Sequence, residues 1–278
     1  MAFAARAATG TPQAPQSIGA ISPRPAMRAI TLAPHLTELM YAAGAGNRIV
    51  ATVTSSDYPA SAKLIPRIGN GLSVNIEQVL ALKPDIVLAW QPSGAAQTLA
   101  PTLAALHIPL IYMAPRQLQD IPADIVKLGE LFGTQASARP QAAALSRRLA
   151  ALAAKYSGRR VVSAFIEVGT APLYTIGHDP LINDTLRLCG GVNVYAHTAL
   201  AAPQISVENV LVKQPDVIIT AASQPTSQAQ RLAYWSRLRL PAALKHHVYA
   251  IDPDELFRPG PRLIAAGEKL CRELDWAR

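Results

Sequence analysis

The chain lacks most of the residues and motifs that announce chemistry on sight. It has two cysteines, too few for a tetrathiolate metal site. Its six histidines are dispersed except for the adjacent His246 and His247, which point poorly at a single metal. There is no G-x-x-x-x-G-K-[ST] phosphate loop, no G-x-G-x-x-G, no H-E-x-x-H and no G-x-S-x-G. Nothing here favours an enzyme, a resident cofactor or a metal. No apolar run reaches the ~18 residues that would span a membrane. Acids are outnumbered, giving a net charge of +8, but the basic residues are scattered and accompany no nucleic-acid motif. The composition reads as a basic globular protein.

What is present is ample apolar material. Half of the 278 residues are hydrophobic, enough for one large domain or for two lobes with cores of their own. Residues 1–27 stand apart. The stretch from Thr9 to Pro25 is rich in Gly, Pro, Ala and Ser and lacks an apolar period, so 1–27 is expected to lie outside the fold as a disordered or remnant signal and linker region. Arg6 and the alanines around it lack the apolar core of a complete secretory signal. This leaves a cytoplasmic chain, or one whose signal is largely missing from this sequence.

One pattern occurs twice. Asn75 to Leu88 reads N-I-E-Q-V-L-A-L-K-P-D-I-V-L, and Ser206 to Ile219 reads S-V-E-N-V-L-V-K-Q-P-D-V-I-I. Without gaps Glu77 falls on Glu208, Val79 on Val210, and Pro84-Asp85 on Pro215-Asp216. Asn75 and Ser206 are good helix N-caps, proline ends each helix, and a continuous apolar strand follows, as expected inside a parallel sheet. Strands at 29–32, 49–53, 86–89 and 109–113 alternate with helices at 36–43 and 99–106. The second half restarts with a strand at 161–166, a helix at 181–188, strands at 217–220 and 247–251, and a last helix from about Arg262. Between the halves, Pro140 to Tyr156 is an unbroken run of strong helix formers. The expectation is an α/β fold of two Rossmann-like lobes with parallel sheets, 28–135 and 158–278, joined by one long α-helix at 136–157.

In open α/β sheets ligands bind beyond the carboxyl ends of the strands. That rule selects His35, the loop with Asp57 and Tyr58, Trp90 with Gln91 and Pro92, Glu167 to Gly169, and the segment Asp254 to Arg258. Each also has a local reading: Trp90 as a core cap, Asp57 as the cap of a D-Y-P turn, His35 bonded to nearby backbone, and Asp254 with Arg258 as a surface ion pair. For Cys189 and Cys271 two alternatives stay open, unpaired core thiols or one disulfide.

Together, I-T-L-A-P-H-L-T-E-L from Ile30, S-D-Y-P at Ser56, N-I-E-Q-V-L-A-L-K-P-D-I-V-L-A-W from Asn75, C-G-G-V-N at Cys189, P-Q-I-S with Glu208, and G-P-R at Gly260 resemble the periplasmic cobalamin-binding proteins of ABC importers, over residues 28–276. These belong to the class III, helical-backbone family of metal-chelate binding proteins. The resemblance implies a monomeric, periplasmic binding component without catalytic residues, carrying cobalamin or a related corrinoid in the inter-lobe cleft. It implies ligand contacts at Tyr58, Trp90, Asp254 and Arg258, with Tyr174 a further position. It implies that Glu77 and Glu208 dock an ABC permease dimer with its ATPase subunits, that Cys189 and Cys271 form a disulfide, and that the lobes move only slightly. Gly71 and Ala202 stand where aromatic residues are often found in such proteins, which removes stacking surface. The alternative within the family is haem or a ferric siderophore, with His35 or Tyr58 as an axial ligand.

Overall fold

The computed structural model describes residues 24–278. The first lobe begins with β1 (Ala29–Thr31), α1 (Pro34–Ala42) and β2 (Ile49–Thr52). The first copy of the repeat follows as α2 (Ile76–Ala81) and β3 (Ile86–Ala89), then α3 (Gly94–Ala105), β4 (Leu110–Tyr112) and α4 (Asp120–Phe132). The strands form one parallel sheet in the order β2-β1-β3-β4. Helix α5 (Gln135–Tyr156) then carries the chain to the second lobe.

The second lobe contains β5 (Val162–Thr170), β6 (Leu173–Thr175), α6 (Pro180–Leu188) and β7 (Gly191–Asn193). The second copy of the repeat is α7 (Val207–Lys213) and β8 (Val217–Ala221), followed by α8 (Pro225–Arg237), α9 (Pro241–Leu244), β9 (Val248–Ile251), α10 (Pro253–Leu256) and α11 (Pro261–Trp276). β8 runs parallel to both β5 and β9. On the other side of β5, β7 pairs in parallel with its first half and β6 antiparallel with its second half. The order β7-β5-β8-β9 therefore repeats β2-β1-β3-β4, with β6 as an antiparallel addition.

The two copies of the repeat are built alike, down to single atoms. Asn75 Oδ1 accepts from the Gln78 amide at 3.0 Å, and Ser206 Oγ accepts from the Asn209 amide at 3.2 Å. Each helix stops at a residue in the left-handed region, Lys83 at φ 45° and Gln214 at φ 44°. The Asp85 carboxylate accepts the amides of Met27 and Arg28, at the start of β1. Asp216 accepts the amide and hydroxyl of Ser163, at the start of β5. The repeated Pro-Asp thus ends a helix and aligns the neighbouring strand.

Both sheets are buried on both faces, which is why their strands read as unbroken apolar runs. Alternate residues divide between cores. Ile86 and Leu88 of β3, with Ala164 and Ile166 of β5, face one apolar core that continues from lobe to lobe through α1, α4, α5, α6 and α11. Val87 and Ala89 face a core of the first lobe alone, and Phe165 and Ile218 one of the second. Helix α5 contributes Ala138, Ala142, Leu145, Leu149 and Tyr156 along one stripe. Its approach to α4 requires Gly129, where a Cβ would come within 2.4 Å of the Ala138 Cβ. A core continuous across the lobes resists large domain rotation and leaves the cleft between them largely preformed.

Cys189, which caps α6, and Cys271 of α11 are bonded in a fully buried disulfide. Among the described residues no cysteine is free, no helix is long and apolar enough to cross a membrane, and no metal-holding cluster occurs.

Several sequence expectations need correction. Residues 1–23 of the expected outlying segment fall outside the described residues, but 24–27 belong to the fold: the Ala26 amide donates to the Leu131 carbonyl and Met27 is tied to Asp85. Glu167, Val168 and Gly169 are not a loop but the second half of β5. The Glu167 carboxylate is buried in that strand and satisfied by Arg231 and the Trp235 indole, both on α8.

Candidate functional site

A cavity of about 570 Å³ opens between the lobes. Three of its lining segments leave the carboxyl ends of parallel strands: Trp90, Gln91 and Pro92 after β3, Ala114, Pro115 and Arg116 after β4, and Leu256, Phe257 and Pro259 after β9. The fourth, His178 to Ile182, follows β6 and opens α6. Most of the wall is apolar, while Gln91, Arg116, His178 and Asp179 supply polar groups. Such a surface binds by burying area and orients its ligand with a few polar contacts.

Trp90 is 43% exposed and leads the first lobe's wall. His35 lies beneath it, edge-on, with ring centroids 5.5 Å apart. The imidazole is 2% exposed, and its Nε2 has no hydrogen-bond partner. Burial pushes its pKa down to about 3, against the opposing pull of a backbone hydrogen bond with Met113 and helped by the charge of Arg258. His35 is therefore a neutral support behind Trp90. Its place under the indole sets it behind the residues that line the cleft.

Tyr58, Asp254 and Arg258 come together beside the cavity in a charged seam that crosses the lobes. Arg258 donates to Asp57 at 2.6 Å and pairs with Asp254 at 2.7 Å. Arg262 of α11 grips Glu38 of α1 through two bonds, at 2.7 and 3.0 Å, and its guanidinium sits 4.4 Å from the centre of the Tyr58 ring. Glu38 is buried, and desolvation pushes its carboxyl up against the pull of Arg262 and Arg258. Asp57 is also pushed up by partial burial, but the hydrogen bond and charge of Arg258 outweigh that and hold it below the usual range. Arg258 is thus committed to Asp57 and Asp254, with Glu38 3.9 Å away, and both charged positions expected to touch ligand are first of all partners of each other. Asp254 uses Oδ1 for this pair, and its other oxygen has no partner among the described residues.

The loop bearing Asp57 and Tyr58 is anchored by a buried cluster of hydroxyls. Thr52 Oγ1 donates to Ser56 Oγ at 2.7 Å, Thr37 Oγ1 donates to it at 3.2 Å, and Thr31 joins both threonines at 2.7 and 2.8 Å. All four residues are fully buried. Arg67 adds a bond to the Ser56 carbonyl at 2.8 Å. A satisfied buried network of this kind gives the loop one geometry.

Tyr174 lies on the edge strand β6, 37% exposed and off the cavity wall. Gly71 and Ala202 are exposed, as are Glu77 and Glu208 on the second helical positions of α2 and α7. The Glu208 carboxyl is held below the usual range by its own amide and the Ser206 hydroxyl. Sequence reasoning missed Ala114 to Arg116 and His178 to Ile182. The first was within reach of the rule that located Trp90, because it follows a strand in the same way. The second depends on the β5–β6 hairpin, which a polar, glycine-containing segment conceals.

Comparison with known proteins agrees with this architecture. A model of the family "Periplasmic binding protein" matches residues 30–255. The chain is 33% identical over 249 residues to a protein of Photorhabdus laumondii named vitamin B12-binding protein, covering 90% of this chain and 88% of that one. It is 35% identical over 251 residues to one of the same name from Yersinia pestis, covering 90% and 86%. Among solved structures, the periplasmic vitamin B12 binding protein BtuF of Vibrio cholerae superposes with a TM-score of 0.83 at 34% identity, covering 91% of this chain and 98% of that one. A periplasmic haem-binding protein, BhuT, shares the fold at a TM-score of 0.77 and 21% identity, covering 90% and 99%. The chain belongs to the periplasmic binding protein family, whose members bind solutes and are not enzymes.

Proposed function

We propose that this protein is the solute-capturing component of an ABC importer and that it takes cobalamin or a related corrinoid between lobes 28–135 and 158–278. The observation that carries the reading is the preformed, mainly apolar cleft of about 570 Å³ headed by the exposed Trp90. Trp90 and Phe257 would pack against the macrocycle from opposite lobes, with Tyr58 at its margin. The free carboxylate oxygen of Asp254, with Gln91 and His178, would accept or donate at its amide edge, and Arg258 would hold Asp254 in place. Tyr174 would contact only groups that overhang the cleft. Capture, slight closure and delivery complete the mechanism, without covalent chemistry.

Homologues are periplasmic and work with ABC permeases. The finer reading is a monomer that grips the two halves of a permease dimer, bearing its ATPase subunits, through Glu77 and Glu208. In a chain of net charge +8, these two exposed carboxylates form no ion pair among the described residues and occupy the same place on the two lobes. The disulfide is in keeping with an oxidising periplasm.

Equilibrium dialysis against cyanocobalamin tests the proposal. Binding at about micromolar protein, weakened about tenfold or more by Trp90→Ala, is the expected result; no binding by the wild type overturns it. A haem reading retains only Tyr58 as an axial ligand, since His35 is buried, and would show itself as a haemin Soret shift abolished by Tyr58→Ala.

A further inference from the structure

Tyr58 belongs to the first lobe, yet that lobe does little to fix its ring. The buried hydroxyls and Arg67 anchor Ser56, two residues earlier, and stop there. The Tyr58 side chain is 48% exposed, and among the described residues its hydroxyl makes no hydrogen bond. The ring is covered instead from the second lobe. The Arg262 guanidinium lies over its face, 4.4 Å from its centre, and among the described residues no other cation does so. Arg262 is not one of the residues that line the cleft.

That guanidinium is itself held in one plane. Its Nε and Nη2 donate to the two carboxylate oxygens of Glu38, whose side chain is 2% exposed. A fork gripping a carboxylate fixes orientation as well as position, and a buried acid makes the grip costly to break. Gly260, just ahead of α11, lets the two helices come this close: a Cβ there would lie 3.3 Å from Glu38 Oε2 and 3.6 Å from the His35 Cβ. Support therefore runs from Glu38 on α1 to Arg262 on α11 and back to Tyr58, crossing between the lobes twice.

Building on the corrinoid reading, we infer that Arg262 is a positioning residue of the ligand site: it presents the Tyr58 ring to the cleft without touching ligand, so that a contact made by the first lobe is set by the second. The role needs a planar cation. An ammonium in its place keeps a charge opposite Glu38 but loses the second hydrogen bond and the flat stack.

The test is a double-mutant cycle. Arg262→Lys and Tyr58→Ala, alone and together, are titrated calorimetrically with cyanocobalamin, with thermal melts to verify folding. Arg262→Lys should weaken binding about threefold or more, and the double variant should bind no more weakly than Tyr58→Ala alone. Combined with Trp90→Ala, whose ring does not rest on Arg262, the same change should multiply in full. Wild-type affinity in Arg262→Lys, or full multiplication with Tyr58→Ala, overturns the inference. If Arg262→Lys does not fold, Glu38→Gln, which leaves the fork one acceptor, takes its place in the cycle with the same expected and overturning results. A measurement without ligand separates the inference from the corrinoid reading. Carbon relaxation of the isotope-labelled Tyr58 ring, assigned with Tyr58→Phe, should show it ordered in the wild type and mobile in the Arg262 or Glu38 variant. A ring equally ordered in both overturns the positioning role. A ring freed by the variant, in a protein whose wild type binds no cyanocobalamin, overturns the corrinoid reading and leaves Arg262 as the holder of Tyr58.

Discussion

In the first lobe Asn75 caps a short helix, Lys83 turns the chain through the left-handed region, and Asp85 aligns the first strand; in the second, Ser206, Gln214 and Asp216 do the same. Beyond this unit the lobes part company. The first is a plain four-stranded parallel sheet whose functional loop hangs on a cluster of buried hydroxyls. The second adds an antiparallel strand, a disulfide and a buried pair between Glu167 and Arg231. The shared unit displays its glutamates outward in equivalent places, whereas the divergent parts build unlike walls for the cleft. Symmetry thus belongs to the surface that would face a two-fold partner, and asymmetry to the surface that faces an asymmetric ligand.

The largest expected difference between the lobes lies in the covalent tie. On the chain-entropy model, a bond between residues 82 apart contributes about 4–5 kcal/mol. Replacing both cysteines by serine should lower the melting temperature on the order of 10 °C, with the first lobe's contacts untouched. A melt that does not shift would remove the disulfide from the account of the second lobe.

In the first lobe, His35 should contribute a distinct response to acid. His35 stays neutral in the folded protein down to about pH 3, while the unfolded imidazole takes up a proton below its ordinary value of 6.5. At this group the unfolded state therefore binds more protons in that window, so His35's contribution to stability falls as pH drops, against the opposite contributions of the partly buried carboxyls of Asp124 and Glu273, which burial pushes up to about 6 and about 7. Between about pH 6.5 and 4.5 this contribution falls by about 2 kcal/mol, and His35→Gln should remove that part of the slope. Urea melts across this range test it; an unchanged slope in the variant would contradict the buried neutral state.

The smallest effect is local. Ser56→Ala should cost about 1–2 kcal/mol in denaturant melts, because Thr37 and Thr52 each lose an acceptor. It should also loosen the Asp57 and Tyr58 loop and weaken ligand binding severalfold, while the same change at the exposed Ser55 should leave stability alone.

Much of this was legible in the sequence, because the signals are local. Apolar runs closed by Pro-Asp located β3 and β8, and the helix formers after Pro140 located most of α5. What escaped depends on distant partners. Helix α4 is interrupted by Gly129, which makes sense only against Ala138 on the next helix. Helix α8 is mainly polar and is held by the buried Trp235 and by the pair of Arg231 with Glu167. At the site, exposed Trp90 followed from its place after a strand. The commitment of Arg258 to Asp57, 201 residues away, and of Arg262 to Glu38, 224 away, is a product of tertiary folding. So is the burial that turns His35 from a candidate ligand into a support.

The most direct test of the division between a symmetric docking surface and an asymmetric cleft is to measure corrinoid binding and reconstituted uptake side by side for Glu77→Ala, Glu208→Ala and the double variant. The account predicts unchanged affinity in all three, a comparable loss of uptake in each single variant, and abolished uptake in the double. Lost affinity in the double variant, or full uptake by it, would contradict the account.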